Sequence, residues 1–431
     1  MTNTRTIRRI LAAGILLGVC LLLASPAAAA FSGSGTDADP YLIQSNADMK
    51  KLAELVNAGD AAYSKAHYKL TTDLALEGEE WIPIGNTMGK NFAGVFDGNK
   101  KTVTYTIEKP ETRYAGLFGC SSGTIQNLEV KCLISAVFDD VGLYAGGIAG
   151  MNFAGTIQSC AASAEIHVLS DAVYAGGIAG YDSGGVIQDC SAEVKLSAES
   201  LDDDTVGVGG IVGDTCGMVK ACSAGGYVYA NGAESVYAGG IAGVSWNKEI
   251  SQCSASVSVT AAGTSDDMYA GGLVGMNQGV VAESSVTKTD VKATCTGEGW
   301  TYTYAGGITG RNYDDGMISE CSSAAKVSAS ASSIPAEDND NWPQVLVGGL
   351  AGYNCGTIKS CSSTGSVSGE AEGEVFADAL VGLDEGTVKD CSAKEGAMSD
   401  YTPSDDSAES PMPVLGMALG GLCAVLVLRR K

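Results

Sequence analysis

A seven-residue phrase recurs nine times along this chain of 431 residues, and no other feature restricts its fold as much. It reads YAGLFGC at 114–120 and YAGGIAG at 144–150, 174–180 and 237–243. Variants are GVGGIVG from 207, YAGGLVG from 269, YAGGITG from 304, LVGGLAG from 346 and FADALVG from 376. Successive starts lie 30, 30, 33, 30, 32, 35, 42 and 30 residues apart. Such a period marks a solenoid, in which each unit can bury its apolar face only against its neighbours.

Each unit carries a second phrase after a turn, such as GTIQSC ending at Cys160 and GVIQDC ending at Cys190. The same place is held by Cys222, Cys253, Cys321, Cys361 and Cys391, and by Leu128 and Ser284 in two units. Strict alternation follows it: Cys160, Ala162, Ala164, Ile166 and Val168 share one parity, and the other is polar. Period two with small apolar residues on one side means half-buried strands. In the unit from 269, Lys288 and Asp290 fall on the inward parity unless a bulge shifts the frame. Few hairpin turns separate these strands, so each lap is expected to stack on the last. The fold class is therefore all-β: a parallel β-helix of about nine to ten coils, roughly 45 Å long at ~4.8 Å per coil. In YAGGIAG, Tyr and Ile share a parity. Pointing inward, they would leave an outer strip of Ala and Gly able to dock a polymer or another surface protein.

Residues 31–93 precede the repeats and read as a small N-terminal cap, which an open solenoid end requires. Within it, 46–58 predict an amphipathic helix with Asn46 as cap, Met49, Leu52, Leu55 and Val56 on one face, and Gly59 as terminator. A strand is predicted from His67 to Leu76. The repeats fill 94–398.

The two ends suggest export and anchoring. Residues 1–30 read as a signal peptide, with Arg5, Arg8 and Arg9 before an apolar run and small residues at Ala28–Ala30. Residues 399–413 form an acidic linker and 414–428 an apolar transmembrane helix at the short limit for spanning ~30 Å. The basic tail 429–431 would stay cytoplasmic. Localisation at the cell surface, membrane-anchored with an extracellular ectodomain, follows from this arrangement. Lys and Arg total 26 against 50 Asp and Glu, a formal charge of −24 that excludes nucleic acid as partner. Arg113 and Arg311 are the only arginines between the two ends.

The phrases WIPIG (81–85), FDGN (96–99), AGLFG (115–119) and the GGIAG/GGLVG series are similar to the GLUG-motif repeat family of microbial cell-surface proteins. The resemblance covers about residues 37–395. It implies a β-helical, adhesin-like surface protein. The family also occurs beside some IgA-specific metallopeptidases and adhesins, but no HExxH stands in this chain, so peptidase activity does not carry over.

The chemistry-bearing residues favour structural roles. Stacked cysteines ~4.8 Å apart and pointing the same way lie outside the ~3.5–4.5 Å that a disulfide asks of its Cβ atoms. An internal file of free thiols is expected. Asn152, Asp182, Asn277, Asn312, Asn354 and Asp384 recur eight places after six of the nine phrase starts and read as corner residues that accept a left-handed backbone and bond their own chain. Acidic clusters at Asp139–Asp140, Asp202–Asp204, Asp266–Asp267, Asp314–Asp315 and Glu337–Asp340 are read as solvated loops, with Ca²⁺ the one cofactor they leave open. No catalytic, cofactor-binding or metal-ligating residue is assigned. The expected function is a noncatalytic stalk or adhesin-like protein whose partner is a surface glycan or protein. The alternative is a carbohydrate-active β-helix enzyme, a polysaccharide lyase or hydrolase, which a cluster of exposed Asp, Lys and Tyr on one sheet face would favour.

Overall fold

The computed structural model describes residues 30–394, apart from 77, 79, 139–141, 201–203, 265–266, 288, 298–300, 333–342 and 372. The proposed signal peptide, linker, transmembrane helix and basic tail lie outside the described residues. So do Asp139, Asp140, Asp202, Asp203, Asp266 and Glu337–Asp340. Among the described residues no helix is long and apolar enough to cross a membrane.

The chain winds as a parallel β-solenoid. One lap runs through Leu143–Gly146, Ala149–Phe153, Thr156–Gln158 and Ala161–Ser170. The first two strands belong to two narrow sheets of nine strands each, and the last two to one wide sheet of twenty-four. Each strand pairs in parallel with its copy one lap away: Ala161 with Ser191 through Ser170 with Ser200, and Tyr144 with Tyr174. Residues one period apart therefore form vertical files. The nine narrow-sheet strands match the nine phrases, but the wide sheet runs further. Tyr41–Ile43, His67–Leu70 and Leu74–Leu76 also stack on it, giving about 11 turns. Part of the cap is thus solenoid already, because its short strands carry the same in-out alternation without the phrase.

The remainder of the cap is the predicted helix, at Asn46–Asn57, with Met49, Leu52, Ala53 and Val56 buried. Ser45 rather than Asn46 caps it, accepting from the Asp48 amide. The predicted strand His67–Leu76 is split into two by residues 71–73.

Two corners recur along the solenoid. At the first, between the narrow sheets, a Cβ on Gly146 would lie 2.2 Å from Ala149 O and one on Gly147 2.5 Å from Gly177 O, so that lap needs glycine there; the last lap has Asp378 and Ala379 in these places. At the second, between the short and long strands of the wide sheet, one residue is left-handed. The file is Asn127, Ser159, Asp189, Ala221, Gln252, Glu283, Glu320, Ser360 and Asp390, with φ between 49° and 56°. It falls on the residue before the cysteine place. The Asn/Asp residues expected to be left-handed are not. The bulge foreseen in the unit from 269 is present: the pairing Ala255–Val286 shifts by one residue before Val259–Val291, which turns Asp290 outward.

Candidate functional site

The cysteine file is one of two polar files inside the solenoid. Cys160, Cys190, Cys222, Cys253, Cys321 and Cys361 are buried and unbridged. Each Sγ lies 3.1–3.2 Å from the carbonyl oxygen two residues earlier, just before the left-handed corner. Ser284 repeats this with an oxygen, donating to Ala282 O at 2.7 Å. In the units that carry Cys or Ser the place thus supplies a small donor that closes the corner; Leu128 fills it in one unit without one. Hydrogen bonding between neighbouring sulfurs, together with burial, pushes Cys190, Cys253 and Cys321 up from the usual thiol range, and the same sulfur bonds draw their partners Cys222 and Cys361 down.

The second file is the Asn/Asp series, and it corrects the sequence reading. Asn152, Asp182, Asn277, Asn312 and Asn354 are fully buried and bond from lap to lap. Asn152 donates to Asp182 at 2.7 Å, and Thr215 donates to the other Asp182 oxygen at 2.9 Å. Higher up, Asn277 donates to Asn312, Asn312 to Asn354, and Asn354 to Asp384, at 2.7–2.8 Å. Own-chain bonds accompany these, as from Asn277 to Gly279 O. Burial pushes Asp182 up to about 6 against the pull of its Thr215, Asn152 and Gly185 donors.

The outer strip differs most from expectation. The glycine corner interrupts the strand within YAGGIAG, so Tyr and Ile do not share a face. Ala145, Ile148 and their copies enter the core, while the tyrosines project outside it and stack. Tyr114, Tyr144 and Tyr174 form a lower stack with centroids 5.6–5.7 Å apart. Tyr237, Tyr269 and Tyr304 form an upper stack at 4.8 Å. The facing file on the other narrow sheet runs Cys120, Met151, Tyr181, Asp214, Val244, Met276, Arg311, Tyr353, Leu383. Tyr181 packs against Tyr144 and Tyr174. The Arg311 guanidinium lies over Tyr304, Tyr313 and Tyr353 at 5.7, 4.1 and 5.0 Å, and Arg113 lies over Tyr144 at 5.4 Å. The two narrow sheets thus meet in an aromatic groove that takes up both arginines. Rings stacked face on face show solvent their edges and hydroxyls, so the intact stacks offer no flat platform to a sugar.

The groove has one gap. In GVGGIVG the tyrosine place is Gly207, paired with Tyr174 on one side and Tyr237 on the other. Asp214 faces it from the opposite file, 7% exposed, and its Oδ1 has no hydrogen-bond partner. Burial pushes Asp214 up to about 7, opposed by a hydrogen bond from Trp246 and reinforced by Asp182.

A second polar feature lies on the outer face of the wide sheet. Lys131, Glu165, Glu193 and Lys195 line a shallow groove of about 290 Å³. His167 and Lys195 reach Glu165 at 3.4 and 3.3 Å, and Tyr227 is exposed on the next strand. The His167 hydrogen bond, with that of Lys195, holds Glu165 below the usual carboxylate range. That suits an ion pair and opposes a general acid, which needs the reverse shift. Higher on this face stand Ser254, Ser256 and Ser258, then Ser328 and Ser330. Asp314 and Asp315 are exposed, and among the described residues no three His, Cys, Asp or Glu side chains converge as a metal site.

Comparison with known proteins places the repeat. Residues 344–368, which hold LVGGLAG and GTIKSC, match the GLUG motif. The chain carries a GLUG motif. It is 30% identical over 151 residues to Halomucin of Haloquadratum walsbyi, covering 32% of this chain and 2% of that protein. It is also 30% identical over 107 residues to a protein of Evansella cellulosilytica provisionally named a Gly-rich membrane protein, covering 23% of this chain and 12% of that one. The chain therefore spans a small fraction of the curated relatives it matches. A solved Bacteroides ovatus structure, provisionally described as an immunoglobulin A1 protease, aligns over 73% of this chain and 79% of its own. Its TM-score is 0.42 at 17% identity, too low to inform the activity of this chain.

Proposed function

We propose that this protein is a noncatalytic, membrane-anchored stalk or adhesin-like component of the cell surface, displaying a rigid β-solenoid for binding or structural roles. The observation that carries the reading is the GLUG motif within a solenoid whose side chains are spent on stacking. The amides bond from lap to lap, the tyrosines stack on their copies, and the thiols donate to their own corner carbonyls. The names of the two relatives, a mucin and a membrane protein, agree with an outward-facing role. The acidic balance of the chain keeps such a surface soluble and repels its own copies.

One observation favours the alternative, a carbohydrate-active enzyme: Lys131, Glu165, Glu193, Lys195 and Tyr227 share one sheet face. The depressed Glu165 carboxyl weighs against it. A glycan array, a polysaccharide-depolymerisation screen and protease shaving of intact cells separate the readings. Display predicts shaving of the solenoid and no depolymerisation. Turnover of any polysaccharide that E165Q abolishes would overturn it in favour of the enzyme.

A further inference from the structure

The gap at Gly207 is the only break between the first and last tyrosines of the phrase from 114 to 304. Above and below it, each tyrosine of the phrase has a ring of the next lap beside it; at the gap no phrase ring stands between Tyr174 and Tyr237, and Gly207 is buried beneath the Tyr174 ring. Pairing puts Tyr174 one step before Gly207 and Tyr237 one step after it. Two steps separate the flanking backbone positions by ~9.6 Å, room for one planar group once the Tyr174 ring stands back in its file. Tyr174 leans toward the space: a Cβ on Gly207 would lie 2.9 Å from its ring. The wall opposite is Asp214, more than nine-tenths buried, with one oxygen unpartnered. A buried carboxylate oxygen left without a donor is costly and calls for a cationic or donating partner.

The same groove shows which partner fits. Three laps above Asp214 in its file stands Arg311, with its guanidinium among three tyrosine rings. Arg113 lies over Tyr144 lower down. The chain has thus placed both of its ectodomain arginines against these tyrosines, and the gap repeats that setting with a carboxylate and no cation of its own. A guanidinium is planar, stacks on aromatic faces and pairs with carboxylate through two N–H bonds, which an ammonium cannot do.

We propose that the Gly207 gap, flanked by Tyr174 and Tyr237 and walled by Asp214, is a binding slot for an arginine side chain presented by a partner protein. The arginine replaces the missing ring in the stack and pairs with Asp214. The strongly acidic chain supplies long-range attraction for a basic partner. The inference rests on the reading of the solenoid as a display scaffold and gives its partner a chemistry.

The test titrates the full chain with N-acetyl-arginine amide, followed by ligand-observed NMR at constant ionic strength. The citrulline analogue, neutral and of the same shape, and the lysine analogue serve as comparisons. Saturable arginine binding at least tenfold tighter than either is expected. D214N and G207Y should each weaken it tenfold or more, and E193Q, exposed on the wide sheet, should not. G207Y installs the side chain that six sister laps carry, so its fold is checked by melting temperature alone. No saturable binding, equal binding of citrulline or lysine, or undiminished binding by G207Y would overturn the slot. Any of these would leave shaving of intact cells unchanged, so the slot and the display reading fail separately.

Discussion

The lower tyrosine stack and the upper one are built from the same phrase on the same sheet, yet they differ. Below, Tyr114, Tyr144 and Tyr174 stand 5.6–5.7 Å apart, with Tyr181 packed against two of them from the facing strand. Above, Tyr237, Tyr269 and Tyr304 close to 4.8 Å, facing the slimmer Val244 and Met276, with Arg311 over the end. The interior changes over the same laps. The lower polar file is short, Asn152–Asp182–Thr215, and includes a buried acid; the upper file joins Asn277, Asn312, Asn354 and Asp384 by hydrogen bonds from side-chain amides. A one-dimensional stack holds each lap only through its neighbours, so halves with different files have different stabilities.

The largest expected difference is in pH response. Asp182 and Asp214 both belong to the lower half and its junction, with folded values of about 6 and about 7. An unfolded Asp titrates near ~3.9, so folding favours the protonated acid. The stabilising contribution is fully present below that unfolded value and lost as pH rises through 6 to 7. For Asp214 alone the full change is on the order of 4 kcal/mol. Hydrogen exchange of 179–215 should therefore quicken between pH 4.5 and 7.5 relative to that of 274–312. D214N should remove much of the difference. Equal pH response in both halves would mean that the acids are not held in protonated form.

Next in size is the amide file itself. Asn312→Leu removes the acceptor of Asn277 and the donor to Asn354, leaving both partners buried. The loss should be about 2–4 kcal/mol in urea unfolding. Asn152→Leu in the lower file removes one donor from Asp182, which retains Thr215 and the Gly185 amide. It should cost less, about 1–2 kcal/mol. If both substitutions cost the same, the lap-to-lap bonds are not what separates the halves.

Arg311→Met tests the upper stack from outside. It keeps an unbranched apolar stem, two atoms shorter, and removes the cation from three rings, at a cost of about 1–2 kcal/mol. The melting temperature should fall, and Arg113→Met, with one ring beneath it, should lower it less.

How far these features could be read in the sequence depends on whether a pattern survives its corners. The period and the alternation after Cys160 run through uninterrupted strand, so the fold, the vertical files and the inward cysteines were legible. The tyrosines were not, because counting parity through YAGGIAG assumes one strand where Gly146–Gly147 turns a corner and resets the alternation. The left-handed corner was sought at Asn152 and its copies but lies beside the cysteines, on residues as unlike as Ala221 and Glu320, because backbone geometry rather than side-chain type fixes it. A signal for the thiol's role was present in Ser284: a hydroxyl at the cysteine place points to a donor. Asp214 gave no signal in its own phrase. It became visible only once the two narrow sheets put it opposite Gly207.

The smallest effect is the most direct way to erase the difference between the stacks. Gly207→Tyr fills the gap and makes one continuous ladder from Tyr114 to Tyr304. A stacked pair contributes about 0.5–1.5 kcal/mol beyond its area, and the new ring gains two neighbours. Against this stands the clash with Tyr174, whose ring now leans over the glycine and must return to the file. Asp214, too, would be sealed beneath a phenol that can donate to its free oxygen only if the hydroxyl reaches it. The balance should be a rise in melting temperature of a few degrees. A fall would mean that Tyr174 and Asp214 are already fitted to each other across the glycine, and that the break in the stack is a packed junction instead of a vacancy.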